Sequence, residues 1–263
     1  MFKGFEVQYP EYEVITPQTK KSYTLRSLNV QEEEKLKGSL LTPIKVAEHL
    51  DKCLFQSMVS RPDDITDMDS FLRNTTLKDR DALLYGLYHI SYEEIRNYQI
   101  KCTSCGKEYP VTVQASSTFN FNPYPETGDA IKDRKKIDLP GLKGVSAVIK
   151  QPTLFDELNN IKLLSNRPGN TLELITETLI IDRFEETGSN EKEPILYTDR
   201  VDIIDAYLQL TSKDKRAIYR TYEENFGKYG IELKMTSGCI SCGNQDNYDI
   251  DLVESFFRAL FSA

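Results

Sequence analysis

Four of the five cysteines in this 263-residue chain occur as two Cys-x-x-Cys pairs, each followed directly by glycine. Cys102 and Cys105 lie in CTSCGKEYP, and Cys239 and Cys242 lie in CISCGNQD. Two intervening residues let both thiolates of a tight turn face one ion, and the glycine can adopt the positive φ that such a turn often requires. Four thiolates at about 2.3 Å complete the tetrahedral shell of a structural zinc ion. The spacing therefore predicts one structural Zn²⁺ per chain, bound by these four cysteines.

Other chemistry fits the two cysteine pairs less well. A single pair is typical of a thioredoxin-like redox motif, but the same motif with the same glycine occurs twice here. An iron–sulfur cluster uses the same four ligands, although the polar surroundings give it no support. Uninvolved thiols are the third alternative. Four sulfur ligands leave no open position for water, which argues against a catalytic zinc and a zinc-dependent hydrolase.

Strand patterns flank both cysteine pairs, because apolar residues alternate with polar ones on each side. These residues are Tyr98, Ile100, Val111 and Val113 around the first pair, and Ile231, Leu233, Met235, Tyr248 and Ile250 around the second. Each pair is therefore predicted at the tip of a β-hairpin. Between Cys105 and Cys239 lie 133 residues, whereas a self-contained zinc ribbon has about 15–20. The sequence predicts a split ribbon in which the metal joins distant segments.

The predicted fold class is α+β, with a helical N-terminal region that carries a hairpin, a split four-cysteine zinc ribbon formed by two distant CxxC hairpins, and a mostly helical inserted region. The hairpin and N-terminal helices occupy residues 1–94, and the ribbon occupies residues 95–115 and 230–251. The inserted region, mixed and then helical, covers residues 116–229. An amphipathic helix is predicted at residues 252–263.

Local patterns predict the individual elements of this organisation. A hairpin is expected from residues 12–15 and 23–28, and a strand pair from IDLP and GVSAVIKQP. Helices are expected at residues 30–37, 43–59, 67–74, 77–90, 153–164, 171–185, 198–210 and 212–227.

Composition restricts the class of partner. The net charge of −8 argues against general attraction to nucleic acid or to anionic lipid. The one basic run, KDRKK at residues 132–136, is interpreted as a solvated loop in preference to a phosphate-binding patch. No apolar stretch reaches the roughly 20 residues of a membrane span, and the acidic N-terminal residues do not suit a signal peptide. These features predict a protein of the reducing cytoplasm.

Residues suited to catalysis are sparse. Cys53 lies beside the apolar stripe of a predicted helix and is interpreted as a small buried hydrophobe. His49 and His89 are the only histidines, and they fall on separate predicted helices outside any catalytic motif. Nucleophile-elbow, zincin, P-loop and dinucleotide-binding motifs are absent from the sequence. The sequence therefore favours a non-enzymatic protein with no small-molecule substrate.

The segment STFNFNPYPETGD, residues 117–129, has no helical or strand period. Prolines hold it extended, and its rings provide contact area at low entropic cost. An extended arm that binds a partner through Phe119, Phe121 and Tyr124 is favoured over ordinary core packing. Phe256 and Phe257, on the apolar face of the C-terminal helix, are further candidates for partner binding.

The order of these motifs resembles the baseplate hub proteins of T-even-type contractile-tailed phages. An extended pair (YEVITPQTKKSYTLRSLNV) precedes an acidic helix start (QEEEKLKGSL), a helix with LDKCLF and the hairpin YQIKCTSCGKEYPVTV. The C-terminal part is similar in GIELKMTSGCISCGNQDNYDIDLVESFF. The resemblance covers residues 10–115 and, more loosely, 140–263.

This resemblance implies a structural or assembly protein of the tail baseplate, with other baseplate or tail proteins as partners. It implies action in the host cell cytoplasm during assembly, with the virion tail baseplate as an alternative location. A zinc-ribbon factor that binds nucleic acid is the rival function. Lys101, Lys107 and Lys234 near the ribbon favour it, and acidic neighbours such as Glu108 and Asp246 argue against it.

Overall fold

The computed structural model describes residues 8–38, 43–92, 96–113, 119–164, 172–187 and 193–249. The helices in these ranges are α1 (Val30–Gly38), α2 (Pro43–Ser57), α3 (Met68–Asn74), α4 (Leu77–Tyr92), α5 (Leu154–Leu164), α6 (Leu172–Leu179), α7 (Arg200–Tyr207) and α8 (Ser212–Tyr222). A π-helical turn, Glu223–Gly227, directly follows α8. The strands are β1 (Glu11–Ile15), β2 (Ser22–Arg26), β3 (Met58–Ser60), β4 (Arg96–Lys101), β5 (Glu108–Val113), β6 (Phe119–Asn122), β7 (Arg134–Asp138), β8 (Val145–Lys150), β9 (Ile181–Glu186), β10 (Ile195–Tyr197), β11 (Gly230–Gly238) and β12 (Gln245–Asp249).

Every strand pairing in the described ranges is antiparallel. The sheets have the orders β1-β2-β3, β10-β9-β8-β7, β12-β11-β6 and β4-β5. Helices lie between and around these sheets, so the predicted α+β fold class is confirmed. The division of the chain at residues 94, 116, 229 and 251 stays a prediction. No described helix has the length and apolar character needed to cross a bilayer.

The first hydrophobic core surrounds α4. Residues 82–88 are all buried, which identifies α4 as a central helix instead of an amphipathic surface helix. Its Gly86 lies against β1, where an added Cβ would clash with a Val14 methyl group. Leu154 of α5 and Ile231 of β11 also belong to this core. Residues far along the chain therefore complete the core around α4.

The N-terminal predictions of a hairpin and four helices are confirmed, with one local correction. The helix predicted to residue 59 ends at Ser57, and Met58–Ser60 instead pairs with β2 as the edge strand β3. A three-residue strand is too short to show an alternating apolar pattern, and β3 forms because β2 lies beside it.

The second core lies between the sheet β10-β9-β8-β7 and helices from α5 to α8. The strand pair predicted around IDLP and GVSAVIKQP is confirmed as β7 and β8. The helix predicted at 171–185 is wrong beyond residue 179, because Ile181–Glu186 is β9 and pairs with β8. The four basic residues of the run at 132–136 are solvent-exposed as expected, although Arg134–Asp138 is the edge strand β7 and not a loop.

The turn between β1 and β2 connects the two cores. The backbone N–H groups of Gln18 and Thr19 donate to the two carboxylate oxygens of buried Asp79, at 2.8 and 3.1 Å. The Gln18 side-chain amide donates to the carbonyl oxygens of Phe226 and Tyr229, at 3.2 and 3.0 Å. A buried polar group costs free energy unless it is paired, so these bonds fix the turn between α4 and the π-helical turn.

Three charged side chains from α2, α4 and α5 meet beside this junction. Arg80 forms a bidentate pair with Glu157 and lies 3.7 Å from Asp51. Within the described part of the chain, neither buried Asp51 oxygen has a hydrogen-bond partner. Burial raises the pKa of Asp51 to about 7, against the attraction of Arg80. Asp51 is therefore the second acidic group beside a single guanidinium, and burial favours its neutral form.

We predict that Asp51→Asn changes the pH dependence of stability. A folded pKa of about 7, above the unfolded value of about 4, means that wild-type stability falls as pH rises from about 4 to about 7. The asparagine variant lacks this loss, so it should gain about 1–3 kcal/mol relative to wild type between pH 5 and pH 8. Urea unfolding at both pH values measures this difference. The exposed Asp63→Asn is the control, and an equal effect of Asp51→Asn at the two pH values would contradict the interpretation.

Candidate metal centre

Two hairpins bring the paired cysteines to their tips. The β4–β5 pairing closes at Lys101 and Glu108, and the β11–β12 pairing closes at Gly238 and Gln245. Each hairpin therefore ends in a six-residue loop, 102–107 or 239–244, that begins with the first cysteine of a pair. The prediction that each pair lies at the tip of a β-hairpin is confirmed.

The two loops have the same backbone hydrogen bonds. Cys102 N–H donates to the Lys107 carbonyl at 2.9 Å, and Cys239 N–H donates to the Asn244 carbonyl at 2.8 Å. The glycine N–H then donates back to the first cysteine carbonyl, at 3.0 Å for Gly106 and 2.8 Å for Gly243. These glycines have φ values of 71° and 74°, in the left-handed region that a side chain disfavours. The sequence prediction of positive φ at both glycines is confirmed.

The four sulfur atoms form one cluster. Cys102 Sγ lies 3.6 Å from Cys242 Sγ, and Cys105 Sγ lies 3.7 Å from Cys239 Sγ. All four sulfurs lie within 4.8 Å of one another. A tetrahedral ion with metal–sulfur bonds of about 2.3 Å has sulfur–sulfur edges of about 3.8 Å. The four cysteines therefore fit a four-sulfur metal site.

The cluster is half buried. Cys102 and Cys239 are 2% and 3% exposed and pack with Tyr109, whereas Cys105 and Cys242 face solvent. The first cysteine of each pair thus belongs to a small apolar core beneath the tips, and the second closes the site from outside. With four sulfurs as ligands, such a site has no position left for a substrate.

Like charges limit ionisation of this cluster. The N–H groups of Ser241 and Cys242 stabilise the Cys239 thiolate and lower its pKa to about 7. At Cys242 the Asn244 N–H favours the thiolate, but desolvation and the neighbouring cysteine sulfurs together raise the pKa to about 12. Four adjacent thiolates repel one another in the absence of a cation, and a divalent ion removes that repulsion.

Asp246 joins the second hairpin to the tip of the first, a role that the sequence did not indicate. Its carboxylate accepts hydrogen bonds from the Thr103 hydroxyl and from the Thr103 N–H, the latter at 3.2 Å. The side chains of Asn244 and Tyr248 donate to the same carboxylate at 2.8 and 3.2 Å. Hydrogen bonding to Thr103 lowers the pKa of Asp246, so this buried group is an anionic acceptor. Its position after the second cysteine pair gave no motif by which it could be found.

The predicted partner-binding arm is only partly consistent with the structure. Phe119–Asn122 is β6, which pairs with β11 from Gly230 to Leu233 and so lies beside the ribbon strand. Strand pairing therefore replaces the irregular backbone expected for this segment. Phe121 is 38% exposed at this edge of the sheet, and its role in partner binding stays a prediction.

Tyr124 corrects the arm prediction. The ring is 5% exposed, lies parallel to Phe226 and meets Tyr229 edge-on. Its hydroxyl donates to Asp133 at 2.9 Å. Tyr124 belongs to the second core and is not available to a partner, because the residues it packs against lie about 100 positions away, where no local period can reveal them.

The side chain of Phe119 lies outside the described residues, as do Phe256, Phe257 and the predicted helix at 252–263. Their proposed contacts stay predictions. Cys53 is buried as expected, and burial raises its thiol pKa to about 12. His89 contacts Tyr12 and Tyr85, away from the cysteine cluster, and His49 hydrogen-bonds the Lys45 carbonyl within α2.

A family model described as T4 bacteriophage base plate protein matches residues 9–258 of the chain. The matched range contains both cysteine hairpins and both cores. No curated protein and no solved structure matches the chain.

We predict that Asp246→Asn weakens the contact between the two hairpins. The asparagine side chain keeps one acceptor oxygen and replaces the other with an NH₂ group. With the NH₂ group at the Oδ1 position, the Thr103 hydroxyl and the Asn244 side-chain amide lose their acceptor. The variant should melt several degrees below wild type and expose its cysteines faster to a thiol reagent. Glu108→Gln, an exposed carboxylate on the first hairpin, is the matched control. Unchanged melting and unchanged thiol reactivity would show that Asp246 does not hold the hairpins together.

Proposed function

Because the chain belongs to the T4 bacteriophage base plate protein family, we propose that it is a structural or assembly component of the hub region of the phage tail baseplate. It acts through protein–protein contacts with other baseplate or tail proteins and has no enzymatic activity. The observation that carries this proposal is the family match, which spans almost the whole chain. The contractile tail, the hub position and assembly in the host cell cytoplasm are the finer parts of the proposal.

Exposed apolar side chains support a role in protein contacts. Ile240, between the cysteines at the tip of the second hairpin, is 80% exposed. Ile15 on β1 and Val59 on β3 are 57% and 53% exposed at the two edges of the N-terminal sheet. Single exposed apolar residues are common on soluble proteins, but these occupy a rigid tip and two strand edges. Such positions suit docking because little chain entropy is lost on binding.

The metal in this proposal is one structural Zn²⁺ per chain, bound by Cys102, Cys105, Cys239 and Cys242. Zinc is preferred because a closed set of four thiolates is the usual structural zinc shell. The cofactor supplies no reaction; it stabilises the fold by joining two hairpins that are distant in sequence. The polypeptide contributes the ligands, the backbone N–H donors that favour thiolates, and the Asp246 contact between the tips.

The rival function is a zinc-ribbon factor that binds nucleic acid. Lys101 and Lys107 are exposed near the tip of the first hairpin, but Glu108 is exposed beside them. On the second hairpin Lys234 pairs with Glu232 at 2.7 Å. This arrangement provides no continuous row of positive charge along which phosphates could bind.

We predict that Cys105→Ser removes the metal and destabilises the protein. Loss of one thiolate opens the tetrahedral shell, and metal binding contributes directly to folding where the ligands come from distant segments. Metal analysis should give one zinc per wild-type chain and close to none in the variant, with a lower melting temperature. Cys53→Ser is the control for loss of a thiol elsewhere and should retain the metal. Full zinc content in Cys105→Ser would contradict the assigned site.

We also predict that the tagged protein co-purifies from infected cells with baseplate proteins of the phage that encodes it. Mass spectrometry of the captured proteins, against an untagged infection, measures this association. A gel shift at physiological salt provides the contrasting measurement, and only weak nonspecific binding to DNA or RNA is expected. Submicromolar nucleic-acid affinity without baseplate proteins would favour the rival function.

A further inference from the structure

A cleft lined by several basic residues lies between α1 and α2. Its volume is about 450 Å³, within the range of binding pockets. Lys45, His49, Lys52 and Gln56 line it from α2. Their spacing of four, three and four residues places them on one helical face. This face is distinct from the apolar stripe of α2 that contributes Leu50 and Leu54 to the first core.

The opposite wall of the cleft comes from α1 through Glu32, Lys35 and Leu36. Leu36 is 2% exposed and Cys53 is 7% exposed, so the floor between the helices is apolar. Lys35, Lys45 and Lys52 are exposed around it. The cleft therefore combines an apolar floor with three ammonium groups at its rim.

Among the described residues that line the cleft Glu32 is the one carboxylate, and its charge is already compensated. Glu32 is paired with Arg26 through two hydrogen bonds of 2.6 and 3.0 Å, and it also accepts the Asn29 N–H at 3.0 Å. The Arg26 charge compensates that of Glu32, and among the described residues that line the cleft lysines outnumber carboxylates. The chain as a whole carries −8, which makes this local excess a selective feature.

We propose that this cleft is a docking surface for an acidic amphipathic segment of another protein. Apolar side chains of the segment contact Leu36 and Cys53, and its carboxylates face the lysines at the rim. This is the recognition of an amphipathic helix by a groove, with charge setting the orientation and the association rate. The identity of the partner as a baseplate protein rests on the proposed function, whereas the chemistry of the segment rests on the cleft alone.

The first experiment measures binding of two synthetic peptides to the full chain by fluorescence anisotropy. Both have leucine on one helical face; one has glutamate on the other face and the second has lysine. The glutamate peptide should bind more tightly, and its affinity should fall as salt is raised. Equal affinity of the two peptides would overturn the proposal.

The second experiment uses charge reversal with a matched control. Lys35→Glu combined with Lys52→Glu should weaken binding of the glutamate peptide by about tenfold or more. Lys135→Glu combined with Lys143→Glu makes the same change in net charge on two exposed residues, one on β7 and one in the turn between β7 and β8. This control variant should bind the glutamate peptide with nearly unchanged affinity. Melting curves of both variants verify that they fold. Equal losses in the two variants would show a general charge effect and overturn the cleft as the site.

Co-purification from infected cells separates this proposal from the proposed function. If the Lys35/Lys52 variant loses the peptide and loses baseplate proteins while the control variant keeps both, the cleft is supported as the docking surface. If the variant loses the peptide but keeps every baseplate protein, the cleft is overturned as the docking surface and the baseplate role stands. If wild type binds the peptide as described but captures no baseplate protein, the baseplate role fails and the acidic specificity of the cleft stands.

Discussion

The sulfur cluster at the tips of two hairpins is the constraint on which the arrangement of the chain depends. The cysteines on either side of the cluster are separated by 133 residues, yet sulfurs from opposite hairpins lie as close as 3.6 Å. Four thiolates at this separation repel one another, so the cluster favours a bound cation. The two ends of the chain segment between the hairpins must then lie close together, beside the sulfur cluster. A metal bound at this point would stabilise the fold, because the four-sulfur site exists only when folding has brought the two hairpins together.

The strand β11 connects the cysteine cluster to the first core. β11 pairs with β6 near its start and with β12 near its end, and its Ile231 is buried with α4. A second connection lies at the β1–β2 turn, where Gln18 and Asp79 join α4 to the π-helical turn. Because buried hydrogen bonds are costly to leave unpaired, these contacts fix the orientation of the inserted region as well as its ends. The two cysteine hairpins and the two cores are therefore coupled through backbone as well as through side chains.

Charge is distributed unevenly over this framework. The acidic group of Asp51 is buried near Arg80, whereas Lys35, Lys45 and Lys52 are exposed around an apolar floor between α1 and α2. An acidic protein repels other acidic proteins at long range, so a local basic cleft restricts where an acidic partner can approach.

The sequence by itself determined most of the elements and the four candidate metal ligands. The spacing of apolar residues located the N-terminal hairpin, the four N-terminal helices and the strands beside each cysteine pair. The Cys-x-x-Cys-Gly spacing identified both turns and their positive-φ glycines. These features are local, because a period or a turn is specified by residues a few positions apart. Tertiary structure decided the rest: β3, β9 and β6 depend on strands supplied by other segments, Tyr124 is buried by residues about 100 positions away, and Asp246 meets Thr103 only after the hairpins converge. Pairing and packing between distant segments depend on how the whole chain folds, so no local pattern in the sequence encodes them.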